Sequence, residues 1–139
     1  MSAAQLRQYV KRRGMCSGLI KVPGDFSDLF MAHSSWFSYG NTNRIFKHYH
    51  FHFHAQAASS AISFSSYPGY LQSLDDFYMM DSGLGMIQTS NDVLNHSLLE
   101  LVKPESLLAW QRVRLANAFA GSGKEWEEAF RWQASGTYV

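Results

Sequence analysis

The sequence predicts an α+β domain in which antiparallel sheets are covered by helices, and three observations carry that expectation. Short apolar runs joined by Pro, Gly and Asp fall into two separate groups, the pattern of antiparallel hairpins. Beyond Asn91 the apolar spacing changes from alternation to helical period. The resulting order is helix, strands, helix, strands, helices, which suits sheets packed under helices better than the one-for-one alternation of a parallel sheet.

Residues 3–13 put Leu6, Tyr9 and Val10 at helical spacing, with Arg7, Lys11, Arg12 and Arg13 toward the end, where cations suit the helix dipole. Gly14 then stops this short helix. The runs CSGLIKV from Cys16 and DLFMAH from Asp28 are separated by Pro23, Gly24 and Asp25, so they read as a β-hairpin that begins at the cysteine. From Trp36 to about Phe53, Phe37, Ile45, Phe46 and Tyr49 are spaced as one face of a helix, and a helix is expected there. AISFSSYPG, DDFYMM and LGMIQT form a second antiparallel set, the last two joined by Asp81, Ser82 and Gly83. Leu94, Leu98, Leu99 and Leu101 make a short helical stretch, Pro104-Glu105 opens a helix through Ala120, and residues 124–133 start another after Gly121, Ser122 and Gly123. The final GTYV turns strand-like after a helix, so the domain is expected to be a piece of something longer.

Composition narrows the function classes. The 139 residues suit one domain, and 46% hydrophobic content with ten Phe, seven Tyr and four Trp excludes disorder as the main state. Twelve basic against eleven acidic side chains leave no global field, so no nucleic-acid partner is expected. A single cysteine, Cys16, excludes an internal disulfide and any zinc site needing two thiolates. Residues 1–14 hold no apolar run of the about 7–15 residues a secretory signal needs, and no stretch reaches the ~18 of a membrane span.

Cys16 stands between a basic helix end and the first residue of a strand. It reads either as a small buried residue or as a nucleophile at a sheet rim, held rigid by the ladder behind it. His33 lies at the far end of the predicted hairpin, which returns it toward Cys16 as a polarising partner, or leaves it as a capping residue. His48, His50, His52 and His54 alternate, so in a strand they would share one face and in a helix they would not. Solvated residues that charge in acid are the favoured reading, with a metal cluster as the alternative. Asp75 and Asp76 are adjacent and would face opposite ways in a strand, which argues against a carboxylate dyad and for turn solvation. The Gly121–Lys124 stretch lacks the full phosphate-loop spacing and follows a helix, so it reads as a turn. Asn95-His96-Ser97 is an N-glycosylation sequon.

Taken in order, GMCSGLIK, AHSSW, SFSSYPG, SLDDFY, SGL, QTSN, PESLLAWQRVRLAN and SGTY resemble the phospholipase B-like family from Gly14 onward. That resemblance implies an N-terminal nucleophile hydrolase with an αββα sandwich, here truncated at both ends, with residues 1–15 preceding a self-cleavage site and 16–139 forming part of the hydrolase domain. It implies cleavage of the Met15–Cys16 bond, Cys16 as nucleophile with its own α-amine as base, and release of fatty acids from phospholipids. His33 is carried over as a catalytic residue, and Trp36, Thr89 and Asn91 as pocket residues. The chain has Ser90 where family members typically carry a second Thr. The family is lysosomal or secreted and glycosylated, which gives weight to Asn95, and no cofactor is expected. An amidase acting on acyl amides, or a non-catalytic member that binds lipid or a partner, stays open beside the phospholipase reading.

Overall fold

The computed structural model describes residues 1–2, 5–6, 16–36, 39–52, 56–73, 76–90, 93 and 95–134. Of the first predicted helix, Gln5 and Leu6 are helical and the remainder of residues 3–13 lies outside the described residues, as do Met15, Asp75, Asn91 and the final GTYV.

The first hairpin forms as expected. β1 (Cys16–Lys21) pairs antiparallel with β2 (Phe30–Ser35), in the register Cys16 to Ser35 and Gly18 to His33. Its loop is fixed locally: Phe26 donates its N–H to Pro23 O, and the Asp25 carboxylate accepts from Ser27 N and Oγ at 3.2 and 2.8 Å. These bonds to the charged form hold the Asp25 carboxyl below its ordinary value.

The second sheet has four strands in the order β3 (Ile45–His50), β4 (Ala61–Ser66), β5 (Phe77–Met80) and β6 (Gly85–Ile87), all antiparallel. β3 corrects the expectation of a helix between Trp36 and Phe53. Helical spacing of Phe37, Ile45, Phe46 and Tyr49 coincides there with a two-residue alternation from Phe46 on, in which Lys47 and Tyr49 are partly buried while Phe46, His48 and His50 are exposed. The neighbouring β4 supplies a complete ladder, so the alternation decides the outcome. A 3₁₀ turn, Tyr39–Asn41, is the helical element described in that stretch.

Two helices follow a 3₁₀ stretch, His96–Leu101. α1 (Ala109–Phe119) starts later than Pro104: Ser106 N–H closes a turn onto Lys103 O, and Leu108 is extended (φ −62, ψ 147) as the N-cap, so no helix runs through it. α2 (Gly123–Arg131) is capped by Ser122, whose Oγ accepts from Glu125 N at 3.3 Å, while Glu125 Oε2 reaches back to Gly121 N at 2.8 Å. A cap of this kind contributes about 1 kcal/mol. The Gly121–Lys124 segment is therefore a helix-to-helix connection, as its spacing predicts.

The helices cover one face of the four-stranded sheet. Phe64, Tyr78, Met80 and Val113 form the buried cluster, with Tyr49, Ile62, Trp126 and Phe130 packed around it. Arg112 is buried beneath the helix pair: its guanidinium lies 4.3 Å from the Phe130 ring centre and one nitrogen donates to Phe130 O at 2.6 Å, closing the end of α2. Trp126 Nε1 donates to Asn117 Oδ1 at 2.7 Å and ties α2 to α1. The opposite face receives the β1–β2 hairpin. Gly85 and Ile87 alternate away from the core side, and a side-chain carbon at Gly18 would stand 3.2 Å from Ile87 Cδ1, one at Gly85 2.8 Å from Met31 Cε. The layers are thus helices, four-stranded sheet and hairpin.

The β5–β6 turn is anchored by Asp81, whose carboxylate accepts from Ser59 Oγ, from Ser60 N at 3.1 Å and from Ser60 Oγ at 2.8 Å. Those bonds, the Ser59 hydroxyl foremost, lower its pKa from 3.8 to about 2. A depressed carboxylate adds stability that is fully present above its unfolded pKa and lost as pH falls through the folded one. The Asp81 contribution is therefore expected to persist through mildly acidic solution and fade between 3.8 and about 2. Urea midpoints followed down to about pH 2 check this: Asp81→Asn is expected to lower the midpoint at neutral pH and to flatten its fall across that window. Parallel acid limbs in both proteins would overturn it.

Candidate active site

The register of the hairpin settles where Cys16 and His33 point. Cys16 opposes Ser35, and His33, two residues before Ser35, lies on the same face as its diagonal neighbour. That face carries the partly buried residues Cys16, Met31, His33 and Ser35, and it is the face turned toward β6. The third member comes from the other sheet. Asp76, the residue before β5, brings a carboxylate oxygen to the pair, so that Cys16 Sγ, a His33 ring nitrogen and the Asp76 oxygen all lie within 4.8 Å of one another.

Asp76 corrects the expectation that it serves as turn or strand-edge solvation; Asp75 lies outside the described residues. Its backbone has φ 50, a conformation that costs a non-glycine residue of order 1–3 kcal/mol and recurs at functional sites. Its carbonyl accepts from Gln88 N at 3.2 Å, which ties the start of β5 to the segment after β6. No sequence spacing marks it, because a positive φ and a contact between sheets are tertiary facts.

The remaining expected residues divide. Thr89 sits beside the hairpin: its Cγ2 lies 3.5 Å from where a side-chain carbon on Gly18 would stand, two residues along β1 from Cys16. Trp36 follows Ser35 directly and is 56% exposed, at the rim next to the strand end that holds Cys16. Asn91 lies outside the described residues. Asn95 is exposed and caps the 3₁₀ stretch, accepting from Ser97 N and Oγ through Oδ1, so neither bond uses Nδ2, the atom that carries a glycan. The histidine run is partly in a strand: His48 and His50 share the exposed face, His48 Nδ1 is bonded to Ser63 Oγ at 2.8 Å, and the His50 and His52 rings meet edge to face. Among the described residues the three-donor cluster is Cys16, His33 and Asp76, not His48, His50 or His52, and His54 lies outside the described residues.

One cavity reaches the cluster through Asp76, and a second lies beyond Gln88, between β6, Ile20 of β1 and α2. The first, of about 480 Å³, is lined by Asp76, Tyr78, Gln88, Lys103 and Arg112, and the second, of about 370 Å³, by Ile20, Met80, Leu84, Ile87, Trp126 and Phe130. Gln88 borders both. Burial pushes the Tyr78 phenol up to about 12, against the Ser73 N–H that bonds its oxygen at 2.6 Å, and the Asp76 charge adds to the rise. Tyr78 is therefore neutral at physiological pH and acts as a structural acceptor. The cavity at Asp76 has a mixed wall, in which Asp76, Gln88, Lys103 and Arg112 stand among apolar side chains such as Leu107, Trp110 and Val113, and the cavity beyond Gln88 is apolar.

A thiol, an imidazole and a carboxylate converging where two sheets meet define an α+β protein with a thiol-bearing sheet rim. The chain belongs to the Phospholipase B family, whose family model matches residues 1–139. It is 56% identical over 126 residues to phospholipase B-like 1 of Rattus norvegicus, covering 90% of this chain and 23% of that protein. It is 53% identical over 133 residues to phospholipase-B 81 of Drysdalia coronoides, covering 95% and 24%. Phospholipase B-like protein B of Dictyostelium discoideum is 46% identical over 132 residues, covering 94% and 23%. The chain spans about a quarter of the length of these relatives.

Proposed function

We propose that this chain is the nucleophile-bearing part of an N-terminal cysteine hydrolase that releases fatty acids from phospholipids. The observation that carries the reading is the convergence of Cys16, His33 and Asp76 at the first residue of β1, in a member of the Phospholipase B family. Cleavage of the Met15–Cys16 bond frees the α-amine of Cys16. An α-amine titrates near neutrality, at about 7.7–8.0, so it takes the thiol proton within one residue. The thiolate attacks the acyl carbonyl, the amine returns the proton to the departing glycerol oxygen, and water then hydrolyses the thioester to free the fatty acid. His33 sets an imidazole and Asp76 a carboxylate beside the sulfur, Thr89 offers a donor near the hairpin, and Trp36 gives the rim an aromatic wall. The cavity that Asp76 lines has the largely apolar wall with a few charged groups that a lipid would need. The two-layer sheet packing under helices is consistent with one side of an αββα sandwich. An acyl amide would pass through the same steps, so amidase activity is the second reading. A secreted or lysosomal setting fits the exposed Asn95 sequon, and no helix among the described residues is long and apolar enough to cross a membrane.

The test is an intact-mass and N-terminal readout of the full-length protein expressed through the secretory route, after acid incubation, beside Cys16→Ala. A new N-terminus at Cys16 that the variant lacks is expected. An intact Met15–Cys16 bond in both proteins would remove self-processing and leave the binding-protein reading.

A further inference from the structure

We propose that Cys16, His33 and Asp76 also form a zinc site with one thiolate, one imidazole and one carboxylate ligand. The donor atoms come from three separate elements, β1, β2 and the segment before β5, and already lie within 4.8 Å of one another. On a tetrahedral zinc with bonds of about 2.0–2.3 Å, neighbouring ligand atoms stand roughly 3.5 Å apart. The donors thus close onto an ion by side-chain rotation of about 1 Å, with the backbone held by the hairpin register and by the Gln88 bond to the Asp76 carbonyl.

The ligand set selects the metal. Calcium and magnesium need shells of about six or more oxygens, whereas a sulfur, nitrogen and oxygen set suits borderline-soft zinc. Three protein ligands leave a fourth position for water. Binding is a simple exchange: a sulfur–zinc bond forms, the thiol proton leaves to solvent, and nothing is oxidised or reduced. The site does not depend on cleavage before Cys16. One consequence does rest on the hydrolase reading: the freed α-amine would become a fourth donor, closing a five-membered ring with Sγ, and the bound sulfur could not attack an acyl carbonyl, so zinc would silence the nucleophile.

The experiment is a cobalt titration of the metal-stripped full-length protein, followed by competition with zinc. One equivalent of cobalt is expected to raise a near-ultraviolet sulfur-to-cobalt band that zinc abolishes. Cys16→Ser, close to an isostere, is expected to lose the band and to weaken zinc binding at least about tenfold, and His33→Gln to weaken it similarly. His48→Ala is expected to change neither. No band on the unaltered protein, or equal zinc affinity in Cys16→Ser, would overturn the site. A band without any Cys16-dependent hydrolysis would leave the site standing and sink the hydrolase reading. Cys16-dependent hydrolysis without a band would do the reverse.

Discussion

Replacing Phe64 by Ala is expected to cost about 3–5 kcal/mol of folding stability, the largest loss of any single truncation in this core. Phe64 is 2% exposed on β4, a strand with partners on both sides. Its ring meets Tyr49 on β3 at 4.9 Å, edge to face, and Tyr78 on β5 at 5.2 Å. Truncation therefore removes buried apolar area and two aromatic contacts at once, and leaves a void that β3, β5 and α1 must collapse to fill. Against a total stability of about 5–15 kcal/mol, that loss removes a large share. Urea unfolding of the full-length protein measures it, with Phe64→Leu as the control that keeps most of the volume and is expected to cost under about 1.5 kcal/mol. Equal costs for Ala and Leu would show that the ring contacts and the void do not govern this cluster.

The parts of the fold legible in the sequence are those whose physics is local. The Pro23-Gly24-Asp25 turn, the Asp81–Gly83 turn and the Ser122 cap each announce themselves by residue type, and the hairpins and α2 appear where those residues place them. β3 was ambiguous because two periods coincide between Phe46 and His50, and only the presence of β4 alongside decides between them. The start of α1 depends on an extended Leu108 after the Lys103–Ser106 turn, and no side-chain pattern marks that backbone choice. The site divides along the same line. Cys16 and His33 were readable because one hairpin joins them and its turn sets their register. Asp76 was not, since its place depends on the packing of one sheet against another and on a backbone conformation that no side-chain pattern encodes. Arg112 likewise reads as one more helix cation, although it lies buried under the Phe130 ring.

The convergence of these three side chains makes a second large effect expected on reactivity rather than stability. On the proposed hydrolase reading, His33→Ala in the full-length protein is expected to lower kcat/KM for fatty-acid release by about 10²–10⁴, the range typical for a positioned side chain that shares proton or charge at the reacting group. Asp76→Asn keeps the size of the side chain and the carbonyl bond to Gln88 but deletes the charge, so a smaller loss, about tenfold, is expected. Activity alone would not separate a chemical role from a distorted strand. The second readout is therefore the rate at which iodoacetamide alkylates Cys16 in the same variants, which reports the thiolate itself and needs no substrate. If His33 holds charge beside the sulfur, alkylation and turnover fall together in His33→Ala, while the unfolding midpoint stays near that of the unaltered protein. Alkylation that is unchanged while turnover collapses would assign His33 to substrate binding at the rim next to Trp36. A collapsed midpoint would make it a structural member of the hairpin face instead. Asp76→Asn separates the two sheets' contributions in the same way, because the carboxylate is the only member of the cluster that the four-stranded sheet supplies.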